Sequence, residues 1–496
     1  MACPVTLGPM KPAYRTSTGS AEHRASTTDG GKRRSEATPT STGDCPPAPG
    51  PGTRHRRSIV TLSLVLLPLA LLVTTSPAVS DQSALRWQSP EAIAEGDAWQ
   101  GPWRMNASDF RYVDDPTVAM NSAGRLAIAW VDQARQDVLL EARAADGSPL
   151  APEPVNVSRS PDVFSWLPRV ILGEGDAVYV LWQEIVFSGG SHGGEIFFAR
   201  SLDGGRSFDA PRNLSNTVAG AGKGRLDRDR WHNGSLDLAR AADGTLYAAW
   251  TEYEGALRVS RSDNSGERFT APITLVEANG ETLPARAPSL AVTDDGIVHL
   301  AWSVGEDPAA NIHIASSADG GRTFGPARVV HASPGHADTP FLLAVDDTLV
   351  LAYGYSDPRR AEPSRLAVTH SEDQGASFRR PEFVAHGPEL EDVGLGFPSM
   401  ALSEAGIVLI AERIPPPTGP RRGLAAARLS MSGEASPAEP IPGSSGPPLG
   451  PNGGRQGPLM HKVATDGATR VALVHSTFER NQRSAIWLFE GRAETD

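Results

Sequence analysis

One turn is written three times along this chain of 496 residues as Ser-x-Asp-x-Gly-x-(Ser/Thr)-Phe: Ser201 to Phe208, Ser317 to Phe324 and Ser371 to Phe378. A fourth copy keeps Ser262, Gly266 and Phe269, with Asn264 standing for the Asp and Arg268 for the hydroxyl. Five fixed positions recurring in this way mark a tandem structural repeat. Short acidic and hydroxyl side chains accept hydrogen bonds from nearby backbone N–H groups and close a tight turn, and the Gly tolerates positive φ. The terminal Phe can bury roughly 150 to 250 Å² between neighbouring sheets and pin the turn to a core.

A second repeat is a five-residue apolar strand that usually ends in an aromatic. Its seven copies are Leu126 to Trp130, Val178 to Trp182, Leu246 to Trp250, Val298 to Trp302, Leu349 to Tyr353, Ile407 to Ala411 and Val471 to His475. Bounding turn residues such as Asp243-Gly244 and Asp295-Gly296 make these strands rather than helices. An earlier strand begins near a proline in six of the repeats (Pro116, Pro168, Pro288, Pro340, Pro398 and Pro458), and repeat three has Gly234-Ser235 instead. A third strand leads into the turn, as in Glu195 to Ala199, Leu257 to Ser260, Ile312 to Ser316 and Arg365 to His370. Four antiparallel strands per unit, repeated radially, predict an all-β β-propeller. The chain ends just after an apparent third strand, Ala485 to Phe489, while Trp87 and Pro90 match the Phe and Pro that precede a fourth strand. The segment from Trp87 to Glu95 is therefore expected to close the ring as the last blade's outer strand.

The repeated turn resembles the Asp box of sialidase-like β-propellers. That resemblance implies that each box joins the third and fourth strands of a blade, on the face away from the ligand. Sialidases have six blades, whereas the repeats here predict seven, with six as the alternative. The resemblance also implies an arginine cluster that clamps a sugar carboxylate bidentately, a Tyr nucleophile activated by a Glu, and an Asp acid/base. The family's first arginine lies in a Phe/Tyr-Arg-Ile-Pro motif. Here the matching stretch is Phe110-Arg111-Tyr112-Val113, which keeps the aromatic and the Arg but not the Ile-Pro.

Loop position supplies the remaining candidates. Arg169 and Arg286 flank first-strand starts, and Asp132, Glu184, Glu252, Tyr253 and Tyr355 follow second strands. Arg111, Asp132, Glu252, Arg286 and Tyr355 form the candidate catalytic set. Arg169, Glu184, Tyr253 and the insertion carrying Arg228, Arg230, Trp231 and His232 form the candidate ligand-binding set. That insertion, 216–233, and the glycine-rich loop 188–194 fall on the face opposite the boxes. Adjacent Glu252 and Tyr253 would point to opposite sides of an extended strand, which weakens them as a pair.

The first 57 residues are rich in Ser, Thr, Gly, Pro and Arg and are expected to be disordered. After Arg54-His55-Arg56-Arg57 comes an apolar run from Ile59 to Val73 and then Ala78-Val79-Ser80, a pattern that predicts an export signal at 58–80 or an uncleaved membrane anchor. The propeller is assigned to 81–496 and to the extracellular space or cell surface. Both cysteines, Cys3 and Cys45, lie in the leader, so the exported part has no disulfide. From 81 onward 54 acidic residues face 37 basic ones, which disfavours nucleic acid. Membrane contact is expected only through 58–80. No metal motif, phosphate loop or dinucleotide fingerprint occurs, so no metal or cofactor is expected. The sequence reading is an exported propeller that binds a glycan or a cell-envelope protein without catalysis; the alternative is an exo-sialidase-type hydrolase acting on terminal acidic sugars.

Overall fold

A computed structural model of the chain describes residues 85–494 except 103, 105, 161, 186–193, 218–220, 223, 228–229, 233–235, 253–254, 278–282, 306–309, 332–334, 358, 360–361, 416–421, 431–432 and 447–460. The leader 1–57 and the apolar segment 58–80 lie outside the described residues. Among the described residues no helix is long and apolar enough to cross a membrane.

Seven four-stranded antiparallel blades form a β-propeller. All seven predicted apolar runs are second strands, from Leu126–Asp132 in blade 1 to Arg470–Glu479 in blade 7. Fourth strands open directly after Pro211, Pro272 and Pro381, at Arg212–Asn213, Ile273–Val276 and Glu382–Phe383. Seven hydrophobic clusters fill the seven interfaces between neighbouring blades. The cluster joining blade 7 to blade 1, with Val113, Trp130, Leu139, Val474 and Leu488, is built like the others. The ring therefore closes at seven, not six.

Closure follows the predicted route. Glu91–Gly96 pairs antiparallel with the last strand, Arg483–Ala493, and a preceding strand, Leu85–Trp87, continues that pairing. Trp87 lies across from Gly491, where an added Cβ would meet the indole at 2.8 Å.

Each turn is a closed hydrogen-bond set. In blade 2 the Gly205 amide donates to Ser201 Oγ at 2.8 Å, Ser201 Oγ donates to Asp203 Oδ1 at 2.7 Å, and the Ser207 amide and hydroxyl donate to the two Asp203 oxygens at 2.9 and 2.6 Å. Blades 4 and 5 repeat the set around Asp319 and Asp373, and donors from Ser377 and Ser371 hold the Asp373 carboxyl at about 2. Gly205 has φ of 86°, and an added Cβ would meet Leu140 of the preceding blade at 2.9 Å. Glycine is thus required both for its backbone conformation and for the close approach. The worn copy keeps the bonds to Asn264 Oδ1 from Ser262 (2.8 Å) and the Arg268 amide (2.9 Å). Asp319→Asn is therefore expected to lower the thermal midpoint less than Asp319→Ala, because only the amide retains an acceptor for these donors. Equal losses in scanning calorimetry would show that the Oδ1 bonds do not hold the turn.

Candidate functional site

The first strand of each blade is the innermost, and a proline inside it shapes the channel. The prolines predicted near strand starts sit several residues in, at a β-bulge: Asp115, Leu167, Ala287, Thr339 and Phe397, each just before a Pro, all have positive φ near 50°. A bulge leaves the ladder locally unpaired, so a residue without an N–H fits there. In blade 7 the residue with the same positive φ is His461, just before the strand Val463–Thr465, and Lys462 takes the place of the proline. Pro458 lies outside the described residues.

This exchange puts a charge at the axis. Lys462 Nζ is buried and donates to the Pro116 carbonyl of blade 1. His461 Nε2 reaches Asp237 Oδ1 of blade 3 at 2.8 Å, a contact between opposite sides of the ring. Asp237 Oδ2 also accepts the Leu290 amide of blade 4 at 2.7 Å. Asp114, buried beside Asp115, accepts the Ser476 hydroxyl at 2.8 Å through Oδ1, and its Oδ2 has no partner among the described residues. Arg169, buried in blade 2, donates Nη1 to the Pro168 carbonyl at 2.9 Å, while Nε and Nη2 have no partner among the described residues.

Burial decides the protonation of this ring. It pushes the Asp114 carboxyl up, with the Asp115 charge adding to the rise, and draws the Lys462 ammonium down against the pull of Asp115. Burial pushes Glu412 of blade 6 up to about 8, outweighing the pull of Arg422, 3.1 Å away, and of Lys462, and its other oxygen has no partner among the described residues. His475 falls to about 3 from burial, and Lys462 adds to the drop. Asp114, Asp115 and Asp237 thus lie with Lys462 and Arg169 in one interacting group along the channel.

The residues predicted from the sequence are scattered over the ring and mostly engaged. Arg111 lies on a hairpin before blade 1 (Trp99–Gln100 with Phe110–Arg111), exposed, 3.3 Å from Asp109, 3.7 Å from Asp97 and over the Trp99 ring. Asp132 caps its own loop, accepting the Ala134 and Arg135 amides at 3.0 and 3.2 Å; burial raises its carboxyl. Glu184 takes Trp182 Nε1 at 3.0 Å and the Ser160 hydroxyl at 2.5 Å. Glu252 pairs bidentately with Arg258, at 3.0 and 3.3 Å. Arg286 is 1% exposed and bridges blades 4 and 5, donating to Asp338 Oδ2 and the Gly305 carbonyl at 2.8 Å each. Tyr355 packs against His331 and Phe383, with ring centroids 5.4 and 5.3 Å away, on the flank between blades 4 and 5. The structure therefore joins Arg169 to the axial charges but does not bring Tyr355 and Glu252 together, since they stand on blades 5 and 3 in separate contacts.

Arg230, Trp231 and His232 belong to a two-stranded hairpin, Gly224–Asp227 with Arg230–His232, placed before blade 3. Arg228, Tyr253 and residues 188–193 lie outside the described residues. Among the described residues no group of three or more His, Cys, Asp or Glu side chains is arranged to hold a metal ion. Sequence reasoning missed His461, Lys462, Asp114, Asp237 and Glu412. Aligning His461-Lys462, rather than Pro458, with the other bulges would have exposed the lysine at a proline position.

No family model matches the chain, and no curated protein matches it. Solved structures similar to it include a protein of unknown function from Dyadobacter fermentans, 16% identical, with TM-score 0.42 over 68% of this chain and 98% of that one. A PL25 ulvan lyase bound to GlcA(1-4)Rha3S is 12% identical, with TM-score 0.41 over 66% of this chain and 78% of that one. The NanB sialidase of Streptococcus pneumoniae is 12% identical, with TM-score 0.41 over 64% of this chain and 67% of that one. The seven-blade fold is read from this chain's own strand pairing.

Proposed function

We propose that this chain is an exported propeller that binds glycans without cleaving them. The observation that carries the reading is the separation of the candidate catalytic groups. A sialidase-type mechanism needs a tyrosine within hydrogen-bond reach of a carboxylate base, about 2.6 to 3.2 Å, and free guanidinium groups for the sugar carboxylate. Tyr355 is seated among aromatic rings, Glu252 is occupied by Arg258, and Arg286 and Arg111 face carboxylates of the chain itself. Export rests on the basic flank, apolar run and small residues of 54–80.

The test uses residues 81–496, purified and offered immobilised glycans and a fluorogenic sialoside. Retention of glycan with no sialoside turnover is the expected result. Turnover that falls on Arg111→Ala or Tyr355→Phe would replace this reading with the exo-sialidase one, and retention of no glycan at all would overturn it.

A further inference from the structure

Tyr355 lines a groove of about 710 Å³ on the flank between blades 4 and 5, within the size range of small-ligand sites. One wall is the fourth strand of blade 4, Arg328–His331, and the other is the fourth strand of blade 5, Glu382–Phe383. The Tyr355 and Phe383 rings meet at 50° and make an apolar platform. Gly335 seats the phenol: a Cβ there would fall 2.4 Å from the ring.

Polar groups surround that platform. Arg365 lies over the Phe383 ring at 3.6 Å, and Arg380 and Glu382 line the groove. Neither arginine has a carboxylate partner among the described residues, whereas Arg111, Arg143, Arg258 and Arg286 all do. His331, 8% exposed, lines the same groove. Its Nδ1 is 2.8 Å from the Tyr353 hydroxyl, and its Nε2 has no partner among the described residues. Burial draws the His331 imidazole below its ordinary value and pushes the Tyr353 phenol above its own.

We infer that this groove binds an anionic sugar, a pyranose bearing a carboxylate or sulfate, stacked on Tyr355 and Phe383 with its charge held by Arg380 and Arg365. The inference rests on the glycan-binding reading and names the ligand class and the site for it. Sugar rings present C–H faces to aromatic side chains and hydroxyls to groups such as Glu382, and unpaired guanidinium groups favour an anion. The groove lies on the flank, away from the axial charges, so the two can be separated by mutation.

The probes are digalacturonic acid, a chondroitin sulfate tetrasaccharide and, as the neutral control, lactose, titrated calorimetrically into residues 81–496. Binding of an acidic probe in preference to lactose is expected, weakening as salt rises. Arg380→Ala should weaken it about 10- to 100-fold, the range for a lost charge-assisted hydrogen bond. Phe383→Ala should weaken it as well. Arg379→Ala, next in sequence but paired with Glu372, should leave it unchanged. Arg380 is exposed, so its variant keeps the fold and the result can be read directly. An acidic probe bound equally by wild type and Arg380→Ala would overturn this site while leaving glycan binding in place. Preference for lactose would overturn the anionic class, and binding of none of the probes would overturn the inference itself, while the immobilised glycans test the broader reading separately.

Discussion

A chain starting at Asp97 is expected to fail to fold, in contrast to one starting at Asp81. The missing segment supplies the outer strand of blade 7, pairing Glu91–Gly96 and Leu85–Trp87 with the last strand. Ile93 and Ala94 pack into the cluster between blades 7 and 1, and Leu85 and Trp87 into that between blades 6 and 7. Partial burial of these side chains is worth about 5 kcal/mol in sum, a large part of the roughly 5 to 15 kcal/mol that holds a domain folded. The loss also bares Arg483–Ala493 as an edge, with Trp487 on it, and unpaired edges aggregate. Size-exclusion chromatography and urea unfolding measure the outcome. A permuted chain is the control: Leu85 lies opposite Ala493, so residues 85–96 joined after Glu494 through a short turn would form a hairpin. That chain should recover most of the wild-type stability. Equal urea midpoints for the chains starting at 81 and 97 would show that the ring does not depend on its closing strand.

Arg286→Ala is expected to destabilise the fold by about 3 to 5 kcal/mol, the range for breaking one side of a buried ion pair. Its guanidinium is buried between blades 4 and 5, and removing it strips Asp338 of its charge partner and the Gly305 carbonyl of a donor. Burial raises the Asp338 carboxyl, but Arg286, with His336 and Ser303, outweighs burial and holds it well below the usual carboxylate range. The pair's contribution is thus present above the unfolded value near 4 and is lost only as pH falls through the lower folded value. In the variant the sign reverses. Asp338 is then buried without its cation, its carboxyl rises, and the deficit should be largest near pH 7 and shrink toward pH 4. Arg286→Met with Asp338→Leu should recover much of the loss, because neither charge is left alone. A deficit below 1 kcal/mol at pH 7 would mean that water already solvates this pair.

The scaffold was legible because its instructions are local. Each Ser-x-Asp-x-Gly turn closes over eight residues, and Asp203, Asp319 and Asp373 bind donors within four positions of themselves. The apolar second strands announce themselves by five consecutive residues, and the match of Trp87 and Pro90 to later copies foretold the closing strand. The same local reasoning misplaced one feature. Proline looked like a strand boundary, but at Pro116 and Pro340 it marks the bulge within a strand, because a bulge needs no donor there.

The candidate site was much less legible. Arg286 and Arg169 were both singled out as arginines at first-strand starts, yet one is paired with Asp338 and the other sits beside the axial charges without a carboxylate bond. Tyr355 was singled out only as a residue after a second strand, and its neighbours His331 and Phe383 come from outer strands of two blades. Repeats, turn chemistry and strand patterns determined by themselves a closed β-propeller and its closing strand, with seven blades favoured over six, while the face of the turns followed from the resemblance to Asp boxes. Which charges meet was decided only by the tertiary structure: His461 and Asp237 are 224 positions apart and touch because a closed ring brings opposite blades to one axis. Strand alternation tells a side chain which way to point, but the partner it finds there depends on how seven sheets curve around a common centre.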